Sequence, residues 1–174
     1  MSLSIRLLYG NTARGKQAKL RRKDREVKDK KAIESIIKRA TVCRVALSEN
    51  NLPYVVPVAF GYKDNCLYFH SAPEGKKIDI IKQNNNVCFE LDIDCELVKK
   101  SEQPCSWSMK YRSVVGFGKV FLVQDAEEKR KALDIIVGHY SGDPYQYPYP
   151  EDMISNIAVL KVEIDSVTGK QSGY

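Results

Sequence analysis

YVVPVAFGYKDNCLYFHSAPEGKKIDIIKQNNNVCFE, residues 54–90, is the stretch whose reading decides the fold. Residues 54–62 are β-branched or aromatic at most positions, a composition that suits a pleated, half-buried strand. Lys63-Asp64-Asn65 supplies turn residues, and strand character resumes over 66–70. Residues 71–75 break it. Ile78, Ile80 and Ile81 then begin a helix, with Lys76 and Lys77 placed directly after Gly75. Two ammonium groups and the free N–H groups of a first helical turn can therefore converge on one anion. Strand character returns at residue 87. The order is strand, turn, strand, basic helix start, strand.

Working outward, the hydrophobic periods define the remaining elements. Asp29 can cap a helix in which Ile33, Ile36, Ile37 and Ala40 recur at helical spacing. Strands are expected at 41–48, 53–62, 66–70 and 87–93, and Asn50-Asn51 makes the first two a hairpin. A polar loop over 95–104 leads to a long strand over 106–123, in which Gly116 and Gly118 mark a bend or bulge. Asp125-Ala126-Glu127-Glu128 resembles a capping box opening a helix through Val137. The tract SGDPYQYPYP, residues 141–150, reads as loop, and 157–167 alternates like a closing strand. About six strands and three helices, with no internal repeat, predict a mainly β fold: an antiparallel barrel with flanking helices.

At 174 residues and 43% hydrophobic, the chain suits one sizeable core. The division expected is a basic arm over 1–25 and a folded domain over 26–170. Residues 1–31 carry eleven Lys/Arg against three acids, whereas the remainder carries 17 against 19. All net positive charge therefore lies in the leader. A basic leader can meet nucleic acid, but without interleaved aromatics or a recognisable DNA-binding module it reads as a solvated arm. No apolar run approaches the roughly 20 residues of a membrane span. The first residues lack a convincing signal peptide, so a cytoplasmic protein is expected. The five cysteines form no C-x-x-C pair, which argues against a disulfide framework or structural zinc. Cys43, Cys66 and Cys88 read as small buried hydrophobes.

Five ordered fragments carry a family resemblance: RRKDREV at 21–27, CRVAL at 43–47, YVVPVAFGY at 54–62, LYFHSAPEGKKIDII at 67–81 and YRSVVGFGKV at 111–120. Together they resemble the flavin-binding split-barrel group that includes pyridoxamine 5'-phosphate oxidases, most closely its nitroimidazole-reductase-like branch. The resemblance covers residues 20–165 and implies an antiparallel split β-barrel that binds FMN, with FAD as the alternative.

The site residues follow from chemistry and resemblance together. Lys76 and Lys77 are natural counterions for the FMN phosphate, and Ser71 can donate a hydroxyl hydrogen bond. The resemblance lays the isoalloxazine ring along Val55, Val56, Pro57 and Val58, with Phe69 and His70 approaching from the neighbouring strand. Pro57 lacks an N–H, which removes one expected donor. Tyr111, Arg112 and Ser113 lie on the long strand, a region that in split barrels approaches the flavin, often from the second subunit. A homodimer is expected, with Trp107, Tyr111 and Phe117 as interface anchors. His70 is either a proton-transfer group beside the flavin or a pocket-lining residue. His139, at the end of the last helix, reads as a surface group.

Two functions from different classes remain. One is an FMN-dependent oxidoreductase moving electrons from a nicotinamide donor to a small acceptor such as a nitroaromatic compound. With no G-x-G-x-x-G fingerprint present, the donor would bind transiently over the flavin. The other is a non-catalytic flavin- or haem-binding module, since one barrel hosts many functions. A strict pyridoxamine-phosphate oxidase is disfavoured, because no Arg and His cluster near the C-terminus would hold a second phosphate.

Overall fold

The computed structural model describes residues 21–142 and 147–174. In chain order its elements are β1 (Glu26–Val27), α1 (Lys30–Arg39), β2 (Cys43–Glu49), β3 (Leu52–Val58), β4 (Gly61–Lys63), β5 (Cys66–Ser71), α2 (Lys76–Gln83), β6 (Asn86–Val98), β7 (Ser108–Val123), α3 (Ala126–Ser141), α4 (Glu151–Asn156) and β8 (Ala158–Ser172). Every strand pairing is antiparallel, in the order β3-β2-β6-β7-β8-β5-β4, with β1 paired to the far end of β8. The expected split barrel with flanking helices is what forms. Among the described residues there are four helices rather than three, because α4, a six-residue segment after Pro150, is too short to show a period.

Alternation builds the core. Cys43, Val45 and Leu47 of β2, Val87, Phe89 and Leu91 of β6, and Leu160 and Val162 of β8 all point inward and are buried. The apolar face of α1, Ile33, Ile36 and Ile37, packs into the same core. Each such side chain contributes about 1.5–3 kcal/mol on burial. At Gly116 the core tolerates no side chain, since a Cβ there would lie 2.1 Å from Cζ of Phe89. The expected irregularity in the long strand is a register shift between Phe117 and Gly118. A second apolar cluster forms outside the barrel, where Ala132, Leu133 and Ile136 of α3 meet Ile154 and Val159.

The strand expected over 53–62 is broken, and the break makes the barrel split. β3 pairs with β2 at one edge of the sheet, whereas β4 pairs with β5 at the other. Ala59 and Phe60 carry the chain between those edges. Phe60 is fully buried, and its N–H donates to the Tyr140 hydroxyl at 2.9 Å. That hydroxyl donates in turn to the Thr41 carbonyl at 2.9 Å. Nε2 of His139 lies 2.7 Å from the Ala40 carbonyl, which it can reach only by donating its proton. Its ring packs on Phe60 at 4.4 Å between centroids. His139 is thus not a surface group: with Tyr140 it ties α3 to both sides of the seam.

Other boundaries moved for local reasons. β6 continues through the expected loop to Val98, past a register shift between Ile93 and Glu96 where Asp94 has φ 54°. Arg39 and Arg112 clamp the Asp94 carboxylate at 2.6 and 2.5 Å, which holds this left-handed residue in place. Residues 1–20, most of the expected basic arm, and residues 143–146 of the expected 141–150 loop lie outside the described residues. Cys43 and Cys66 are buried as expected, while Cys88 is only half-buried. Burial pushes the Cys43 thiol up to about 12.

Candidate functional site

β5 ends at Ser71, and the chain crosses four residues to reach α2. The last of these, Gly75, has φ 113° and ψ 169°, a conformation open essentially to glycine alone. No atom lies within 4 Å of where its Cβ would be, so the approach to the helix start is open. No side chain caps α2. The free N–H groups of its first turn face an uncapped opening next to two lysines.

The two lysines reach in different directions. Lys76 places its ammonium 4.9 Å from the centre of the Tyr54 ring on β3. Lys77 places its ammonium 5.7 Å from the Phe69 ring on β5. Since β3 and β5 belong to opposite sides of the split, the start of α2 bridges the seam and sets its charges over the opening. Desolvation holds the half-buried Lys77 ammonium below the ordinary lysine range. Among the described residues no carboxylate pairs with it. A partly desolvated cation without a counterion costs free energy that a bound anion offsets.

β3 supplies the polar edge. Pro53 and Pro57 cannot donate to β2, so the odd-numbered residues of this strand turn their backbone groups to the free edge. Val55 therefore presents an N–H and a carbonyl there, and Pro57 presents a carbonyl only. Val56 and Val58 pack inward against the core, whereas the Val55 side chain is 56% exposed. On β5, Phe69 is buried, while His70 stands exposed on the outer face opposite Val159. No hydrogen bond to its ring forms among the described residues.

The structure brings Lys76 to β3 and Lys77 to Phe69 on β5, the strand that ends at His70 and Ser71. It does not bring Tyr111, Arg112 and Ser113 to them within one chain. Ser71 pairs with Ala158 and Ser113 with Lys170, positions separated by roughly 40 Å of β8. Arg112 is already committed, bonding Asp94 and lying 3.9 Å over the Tyr174 ring. Sequence reasoning missed Tyr54, which lies under Lys76, and the His139–Tyr140 clamp. The parity of the two prolines was the one available signal for which edge of β3 is free.

Comparison with known proteins identifies the fold and the family. The family model described as pyridoxamine 5'-phosphate oxidase matches residues 29–171. A solved structure from Bacteroides thetaiotaomicron, described as a candidate 5-nitroimidazole antibiotic resistance protein, is 45% identical and covers 84% of this chain and 86% of its own, with a TM-score of 0.74. Two more distant structures share the fold. They are a flavocytochrome from Azotobacter vinelandii, 19% identical over 86% of this chain and 70% of that one, TM-score 0.72, and an FAD and haem binding protein from Mycobacterium smegmatis, 17% identical over 86% and 74%, TM-score 0.73. A search of curated proteins finds no match. The chain belongs to the pyridoxamine 5'-phosphate oxidase-like family of flavin-binding split barrels.

Proposed function

We propose that this protein is an FMN-dependent oxidoreductase, acting as a homodimer, that passes electrons from a reduced nicotinamide donor to a small acceptor of the nitroaromatic class. The observation that carries this reading is the half-buried, unpaired Lys77 ammonium at an uncapped helix start. A terminal phosphate dianion fits that site, with Lys76, Lys77 and Ser71 as its partners. The Val55 N–H and the β3 carbonyls fit the polar edge of an isoalloxazine ring. When bound, the flavin supplies the redox chemistry. The chain's residues orient it, and His70 exchanges a proton with the acceptor. The nitroaromatic class is favoured by the 45% identical relative described as a 5-nitroimidazole resistance protein.

The dimer is favoured by an apolar row across the outer sheet face. Val55, Ala46, Cys88 and Phe117 are successive cross-strand partners on β3, β2, β6 and β7, and Phe117 is 42% exposed. A second copy is also what a flavin role for Tyr111, Arg112 and Ser113 requires, since within one chain they lie far along β8 from Ser71. Purified protein should show a flavin absorbance spectrum that bleaches with a nicotinamide donor under anaerobic conditions and returns on adding a nitroaromatic acceptor. Bound flavin that neither bleaches nor returns would refute the oxidoreductase reading in favour of a cofactor-binding module.

A further inference from the structure

At the far end of β8 lies a second concentration of positive charge, remote within one chain from the Lys76 and Lys77 cluster. The Lys23–Arg25 turn faces the paired ends of β7 and β8 across a concavity of about 340 Å³. Arg22, Arg25, Lys100, Ser108, Met109 and Tyr174 line it. Among the described residues Asp24 is the one acid that lines it, and Arg22 already holds it through bonds of 2.8 and 2.5 Å. Arg25 and Lys100 form no ion pair with a carboxylate among the described residues. Just beside the concavity, the Lys170 ammonium lies 5.8 Å from the centre of the Tyr111 ring, and Arg25 is the second cation acting on that phenol. Burial alone would push that phenol up, but the two cations pull it below the ordinary tyrosine range.

We propose that this concavity is a binding site for the phosphate groups of a small phosphorylated ligand, held by Arg25 and Lys100 with Lys170 at its border. Like charges gathered around a single neutralised carboxylate repel one another, and a multiply charged anion relieves the repulsion. Guanidinium and ammonium together suit a pyrophosphate, one by its planar fork and the other as a point charge. The volume lies within the range of small-molecule sites. The concavity is separated from Lys77 along β8 by most of the strand's length, so within one chain it is distinct from the flavin phosphate cluster. The shared chemistry is a pyrophosphate group, whether free or part of a dinucleotide donor.

The test titrates inorganic pyrophosphate, NADP⁺ and NAD⁺ into the full-length, FMN-loaded protein by calorimetry. Pyrophosphate should bind saturably, and the paired change Arg25→Gln with Lys100→Gln should weaken it by about tenfold or more. Arg25→Lys, which keeps the charge, should recover part of that loss. Dinucleotide binding with the same Arg25 dependence assigns the site to the electron donor, and pyrophosphate binding alone assigns it to a free polyphosphate. Either result supports the site. The site is separate from the Lys77 cluster: FMN affinity, measured separately, should fall far less in the paired variant than in Lys77→Met. Absence of saturable pyrophosphate binding would overturn the proposal. So would equal affinity in the paired variant, or loss of binding on Lys77→Met alone.

Discussion

Lys77→Met separates a lysine that serves the fold from one that serves a ligand. The methionine keeps an unbranched stem over Phe69 and removes only the charge. In the apoprotein the ammonium gains a cation–π contact with Phe69, worth about 0.5–1 kcal/mol at a partly exposed site. Against that stands desolvation, the sole cause of its lowered pKa. The two oppose each other, so apoprotein stability by urea titration should change by less than about 1 kcal/mol. FMN affinity should fall far more, because one charge-assisted contact contributes about 1.5–3 kcal/mol, or roughly ten- to 150-fold in Kd. The pH dependence has a definite sign. A base whose folded pKa is depressed binds fewer protons in the folded than in the unfolded state between the two pKa values. Its penalty is therefore complete at neutral pH and is relieved as pH rises through the folded value towards 10.5. Wild-type apoprotein should gain stability over that alkaline window relative to Lys77→Met. Unchanged FMN affinity, by fluorescence quenching, would refute the reasoning outright.

His70→Ala should leave flavin bound while slowing acceptor reduction by about 10²-fold, the scale of a positioned proton-transfer group. Rapid-mixing reoxidation at full flavin occupancy checks this, and equal rates would remove His70 from the catalytic residues. Tyr140→Phe strands the buried Phe60 N–H, so unfolding in urea should show a loss of about 1–3 kcal/mol. Gly116→Ala forces a methyl group to 2.1 Å from the fully buried Phe89 ring and should cost about 1–3 kcal/mol, read from thermal unfolding. Light scattering should return the mass of a dimer, and a monomer retaining stoichiometric flavin would contradict the interface proposed on Val55 and Phe117.

Local chemistry was legible in the chain. The helix over Ile33, Ile36 and Ile37, with Asp29 accepting from the Lys31 N–H, follows from period and cap alone. So do the Asp125 cap of α3, the irregularity beside Gly118 and the cationic start of α2, because each depends on residues within a few positions of one another. The five ordered fragments were enough to place the family.

What lay beyond the sequence were relations between residues far apart in it. Residues 53–62 read as one strand because strand propensity carries no record of which edge a strand joins. The break at Ala59 and Phe60 exists because Tyr140 and His139, some eighty residues on, bind the crossover and the chain beside it. The same separation hid Tyr54 beneath Lys76, the commitment of Arg112 to Asp94 and the strand-length gap between Ser71 and Ser113. Composition and period determine which residues prefer strand, helix or turn, since those preferences are set by each side chain and its near neighbours. Which edges meet, which cations go unpaired and where the barrel opens were decided only by the tertiary structure, because burial and charge pairing depend on contacts that no local window contains.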